Sequence, residues 1–164
     1  MRPVARATLL LSGLMQLVGT PANADADGWY KWQVEGNTTT GSSCCFRLAG
    51  TVSQRTTCDL DNGNGIVISD SPCEGASGHS TYYMRKEGGV PVRIRVYDAN
   101  CEVSSSAPIT NMGSLSPDES VAMLLDIVNE RKLGMDVREE ALFWLAQSNT
   151  DSAFAYFDEL LSDS

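Results

Sequence analysis

Val92-Arg93-Ile94-Arg95-Val96-Tyr97 alternates apolar and charged or polar-tipped residues without a break. A period of two places Val92, Ile94 and Val96 on one face of a strand and Arg93, Arg95 and Tyr97 on the other. Just upstream, Glu87-Gly88-Gly89 is a turn in which glycine supplies the positive φ that tight hairpins need. Residues 81–85 before it are the expected first arm of that hairpin. Further upstream, Trp29-Tyr30-Lys31-Trp32-Gln33-Val34 is aromatic and alternating, with Tyr30, Trp32 and Val34 on one face. Two more strands are expected, at 44–48 and at 66–68. The second of these follows the turn Asp61-Asn62-Gly63-Asn64-Gly65, and 36–43 is a polar loop. These segments imply an antiparallel sheet of about four to six strands.

Downstream of the hairpin the period changes to that of a helix. Ser116-Pro117-Asp118-Glu119 reads as a capping box with proline in the first turn. Val121, Leu124, Leu125 and Val128 follow at helical spacing, and Gly134 is the expected stop. A second helix is expected to start at Asp136, with Glu139 three residues on as its capping partner. Asp151 then opens a third helix, with Phe154, Phe157, Leu160 and Leu161 on one stripe. Leu142, Leu145, Phe154, Phe157 and Leu161 are expected on the inner faces of the last two helices.

Upstream of the first strand, Arg2 and Arg6 precede an apolar run from 7 to 19, and Ala22 and Ala24 fit a signal-peptidase site. Residues 1–24 therefore read as a cleaved secretory signal, which implies a periplasmic or secreted protein. The run is shorter than the roughly 20 apolar residues of a membrane span, so no span is expected in the mature form. Removing 1–24 leaves 140 of the 164 residues, one domain's worth. It also takes two of the 12 cations and none of the 21 acids, leaving a charge of −11 with His79 neutral. Such a chain is repelled by nucleic acid and by anionic lipid, which argues against both as partners.

Export would also place the five cysteines, Cys44, Cys45, Cys58, Cys73 and Cys101, in an oxidising compartment. Two disulfides and one remaining thiol follow from the odd count. Two bridges among five cysteines allow 15 pairings, and setting aside a strained Cys44–Cys45 ring leaves 12. A metal site or redox thiol is the alternative, but no Cys-x-x-Cys spacing occurs and the chain has one histidine. No cofactor is indicated, since neither a phosphate loop nor a dinucleotide fingerprint is present.

Val137-Arg138-Glu139-Glu140-Ala141-Leu142-Phe143-Trp144-Leu145-Ala146-Gln147-Ser148 resembles the first helix of a HEAT-type repeat. Asp151-Ser152-Ala153-Phe154-Ala155-Tyr156-Phe157-Asp158-Glu159-Leu160-Leu161 resembles its second. Cys44-Cys45, Ala99-Asn100-Cys101 and Ser116-Pro117-Asp118-Glu119-Ser120 resemble the front end of exported bacterial HEAT-repeat proteins. That resemblance implies protein binding on a helical surface and no catalysis. One repeat is found where the family has an array, and a lone repeat cannot bury both of its faces. The pair must then pack on the sheet or on another chain. The expected fold is α+β: a small disulfide-bonded antiparallel β part (25–113), then a helical part (114–164) with one HEAT-like helix pair packed on it.

Three constellations bear on function. Asp59, Asp61 and Asp70 sit at positions 1, 3 and 12 of a calcium-loop pattern, but Asn64 stands where glycine belongs and position 12 is not glutamate. A β-turn is the better reading and a calcium-binding module the alternative. His79 lies in Gly75-Ala76-Ser77-Gly78-His79-Ser80 without a Gly-x-Ser-x-Gly elbow. A small secreted hydrolase using His79 is the rival to a non-enzymatic interaction module. Arg85, Lys86, Arg93 and Arg95 are four of the ten cations outside 1–24, all within eleven residues of an acidic chain. They read either as a solvated hairpin face or as a contact for an anion or acidic partner.

Overall fold

The computed structural model describes residues 26–34, 44–49, 52–62 and 79–162. The expected signal segment, the 66–68 strand, Asp70 and Cys73 lie outside the described residues. In chain order the elements are β1 (Gly28–Val34), β2 (Cys45–Ala49), β3 (Val52–Thr56), β4 (Cys58–Asp59), β5 (Ser80–Glu87), β6 (Val90–Asp98), β7 (Val103–Ser104) and β8 (Ile109–Leu115). Three helices follow: α1 (Pro117–Asn129), α2 (Met135–Gln147) and α3 (Asp151–Ser162). The fold class is α+β, a disulfide-bonded β part followed by helices.

The β5–β6 hairpin forms as its alternation requires. Gly88 and Gly89 have φ of 58° and 78°, the two positive values a two-residue hairpin turn demands. Three strands of the central sheet, β6, β5 and β1, pair antiparallel in that order. The fourth strand, β8, joins β1 in parallel, so the sheet is mixed. It continues to Leu115, two residues beyond the expected boundary at 113, and Ser116 turns the chain directly into α1. The hairpin β2–β3 and the short parallel pair β4–β7 stand apart from this sheet.

Both faces of the sheet are covered. On one face Tyr30, Trp32, Val34, Tyr82, Met84, Ile94 and Val96 pack against helical residues that include Val121, Leu124, Val137 and Leu145. The Trp32 indole N–H donates to Ser120 Oγ at 2.9 Å, a buried bond joining β1 to α1. On the other face Trp29, Tyr83 and Tyr97 pack with Cys45, Cys58 and Leu60. β1 is therefore buried on both sides, which explains its density of aromatic residues.

Two disulfides hold the second layer: Cys44–Cys101, spanning 57 residues, and Cys45–Cys58, spanning 13. The adjacent cysteines thus fasten one point of the chain in two directions. With four of five cysteines paired, labelling under denaturant without reductant is expected to find about one thiol per chain. Five labelled thiols would sink the framework.

The helical layer departs from expectation in two places. The Ser116 capping box forms, with Glu119 N donating to Ser116 Oγ and Ser116 N to Glu119 Oε2. But α1 ends at Asn129, before Gly134 is reached. Gly134 is instead the N-cap of α2, with no side-chain cap bond, so Asp136 and Glu139 fall inside the helix. The α1 end is satisfied from α2, where Arg138 Nε donates to the Val128 carbonyl at 2.9 Å.

The second departure is the orientation of α3. Of its residues only Ala153 is fully buried, with Tyr156 and Phe157 half-buried against the core. Phe154 is 55% exposed and Leu161 75%, and Leu142 on α2 is also exposed, so these three are not on inner faces. Leu145 is wholly buried, as expected. The small Ala153 lets the start of α3 approach its neighbours, while Phe154, Leu160 and Leu161 stay exposed. Ser152 Oγ donates to Asp118 Oδ1 at 2.6 Å and ties that start to the first turn of α1.

Candidate functional site

The sheet register places Ile109, Trp29, Arg85 and Arg93 side by side across β8, β1, β5 and β6. Asp61, from the turn after β4, closes over this row. Its carboxylate accepts the Trp29 indole N–H at 2.9 Å, the Ser106 N–H at 2.6 Å and the Ser106 hydroxyl at 2.8 Å, with Ser105 Oγ at 3.3 Å. The Asp61 backbone carbonyl accepts from Arg93 Nη1. The result is a cleft of about 300 Å3 lined by Trp29, Asp61, Arg85, Glu87, Val92, Arg93 and Ser106.

The Ser106 N–H, then the Trp29 indole and the Ser106 hydroxyl, hold the Asp61 carboxyl far below the usual carboxylate range. Because the folded value is the lower one, Asp61 contributes stability above about pH 4 that is lost as the pH falls. Asp61→Asn is expected to cost on the order of 2 kcal/mol at neutral pH, through loss of charge-assisted bonds. The gap from the parent should shrink near about pH 3, where the unfolded parent takes up a proton that its folded state, still ionised at Asp61, does not. Denaturant unfolding at the two pH values checks it, and a gap that does not change with pH would contradict the role assigned to the carboxylate.

Of the calcium-loop residues, Asp59 and Asp61 are committed elsewhere. Asp59 Oδ1 accepts from the Asp61 and Asn62 N–H groups, and Oδ2 from the Asn62 amide at 2.8 Å, which makes this a side-chain-closed turn. The Asn62 side chain, then its backbone N–H, lowers the Asp59 carboxyl below its ordinary value. Among the described residues no three His, Cys, Asp or Glu side chains gather as a metal-holding group.

The four cations take separate places. Arg95 Nη1 pairs with Glu140 Oε1 on α2 at 2.7 Å. The other Glu140 oxygen accepts the outward-facing Ile94 N–H at 2.7 Å, so α2 covers the free edge of β6. Lys86 Nζ lies 4.9 Å over the Tyr30 ring. A register shift between Arg85 and Lys86 separates it from the arginine row. Only Arg85 and Arg93 share the cleft. His79 is exposed just before β5, its carbonyl accepting from Ala99 N at 3.0 Å.

Trp29, Ser105 and Ser106 were not singled out by the sequence as site residues, and Asp61 entered only as a position of the calcium-loop pattern. The one available signal was the serine run 104–106, whose hydroxyls and N–H groups suit a carboxylate partner. Among the described residues no helix is long and apolar enough to cross a membrane. Comparison with protein-family models, curated proteins and solved structures found no match to this chain.

Proposed function

We propose that the chain is an exported, non-enzymatic protein-interaction module that docks a basic amphipathic helix of a partner protein on α3. The observation that carries this reading is the outward face of α3, where Phe154 and Leu161 stand exposed seven residues apart. Two anchors at that spacing sit two turns apart on one side of a helix, the footprint a second helix fills. The charge of α3 supports the sign of the partner. Asp151, Asp158 and Glu159 flank the stripe, and the helix contains no lysine or arginine. Read as a single HEAT-like repeat, α2 and α3 would present this face where an array would place its next helix.

Site-specific photo-crosslinking tests it in cells producing the full chain. A photoreactive residue at 154 or 161 should give a discrete adduct, and one at the exposed Lys132 should not. Mass spectrometry should map the adduct to a basic amphipathic helix. The Phe154→Glu/Leu161→Glu pair should weaken binding at least about 100-fold, since burying each side chain is worth roughly 1.5–3 kcal/mol. The melting temperature should hold. Adducts that form equally at 132, or that map to an acidic or extended segment, would overturn the reading.

A further inference from the structure

We propose that the cleft between the sheet and the disulfide layer binds a single carboxylate group through Arg85 and Arg93. The two arginines are direct cross-strand partners, and like charges in that relation repel. Arg93 has an acceptor in the Asp61 carbonyl. Arg85 is less well served: its side chain is 22% exposed, and its Nε lies 3.4 Å from Glu87 Oε1, on a side chain that is 60% exposed. Its Nη1 is buried with no hydrogen-bond partner among the described residues. A buried guanidinium nitrogen without an acceptor is costly. A carboxylate offers two oxygens in the plane and at the spacing of the guanidinium fork.

Neither acid of the cleft supplies that acceptor: Glu87 meets Arg85 at Nε and leaves Nη1 without a partner among the described residues. The Asp61 carboxylate is committed to Trp29, Ser105 and Ser106. Size and charge narrow the ligand. About 300 Å3 admits a small acid or one acidic side chain and lies at the low end of ligand pockets. Arg85, Arg93, Asp61 and Glu87 sum to zero formal charge, so one added negative charge is balanced better than two. Trp29 and Val92 supply an apolar wall for the carbon that carries the carboxylate, a contact an inorganic anion cannot use. The cleft lies on the sheet face opposite the helices. Its occupancy is therefore independent of the docking reading of α3.

The test follows the Arg85 Nε–H and Trp29 Nε1–H resonances of the full chain by NMR at constant ionic strength. Sodium acetate, a blocked Ala-Glu-Ala tripeptide and sodium phosphate are titrated in turn. Acetate or the tripeptide should shift both resonances saturably, and phosphate should compete poorly. A tripeptide at least about tenfold tighter than acetate would identify an acidic side chain of a polypeptide as the ligand, and the reverse order a free small acid. Arg85→Gln should weaken binding about 10- to 100-fold, the worth of a charge-assisted bond, and Arg85→Lys by less because it keeps the charge and loses the fork. Should Arg85→Gln not fold, Arg93→Gln read at Trp29 serves the same purpose. Shifts that never saturate, phosphate binding as well as acetate, or undiminished affinity in the folded glutamine variant would each overturn the proposal.

Discussion

Serine at both Cys44 and Cys101 should lower the unfolding free energy by about 4 kcal/mol, the largest effect expected of any paired substitution in this chain. The bridge closes a span of 57 residues, running from the start of β2 to the turn after β6. In the chain-entropy account a crosslink stabilises by restricting the unfolded ensemble, and a loop of that length is worth about 4 kcal/mol. The Cys45–Cys58 bridge closes only 13 residues, and the same relation gives about 3 kcal/mol. Chemical denaturation of the two double-serine variants gives both the magnitudes and their order. Both bridges lie on one side of the sheet, so either loss should loosen the Trp29, Tyr83 and Tyr97 layer before the helical one. A larger cost for the shorter bridge would show that packing around Cys45 and Cys58, both fully buried, outweighs chain entropy.

Leu145→Ala should cost about 2–5 kcal/mol, the range for a fully buried leucine cut back to its β-carbon. Leu145 sits in the cluster that joins the sheet residues Ile94 and Val96 to α1, α2 and α3. Leu161→Ala, sixteen residues on and mostly exposed, should stay within about 0.5 kcal/mol. The contrast separates the buried side of the helical layer from its open side, and equal costs would mean that the α3 face is covered within the chain. The same cluster explains why residues 116–164 expressed alone should fail to melt cooperatively. Val121, Leu124, Val137 and Leu145 lose the sheet they pack on, and exposed apolar surface of that extent drives association. A monomeric fragment with a sharp transition near the parent's melting temperature would instead make the helices an independent unit.

Sequence reading succeeded where the determining interactions are local. The β5–β6 hairpin is specified by alternation and a Gly-Gly turn, and the start of α1 by four consecutive residues whose caps answer each other. It failed where distant segments meet. Strand β8, Ile109–Leu115, has no apolar alternation and is largely exposed at a sheet edge, so nothing local distinguishes it from a loop. Its parallel pairing joins residues 80 apart, such as Trp29 and Ile109. Gly134 has two common uses at helix ends, and only the early end of α1 decided between them. The stripe on α3 was correctly periodic, but which part of it faces inward depends on how α3 meets distant residues of the core, where Phe157 packs and Phe154 does not. The arginine pair was visible as charge density. Its cleft was not, because Trp29 lies 56 residues before Arg85 and Asp61 lies 24 before it. The number of disulfides followed from the cysteine count, and their pairing did not.

The doubled cysteine has a kinetic consequence. Exchanging partners, so that Cys44 meets Cys58 and Cys45 meets Cys101, changes each loop by a single residue. Chain entropy cannot tell the native isomer from the swapped one. Oxidation of the reduced chain therefore reaches both at similar rates, and only side-chain packing sorts them afterwards. That sorting requires a thiolate to reopen a bond already made, a step of seconds to hours without a catalyst. The fifth cysteine gives the chain a thiol of its own for this exchange, so blocking it before oxidation should trap scrambled molecules that the unblocked chain converts.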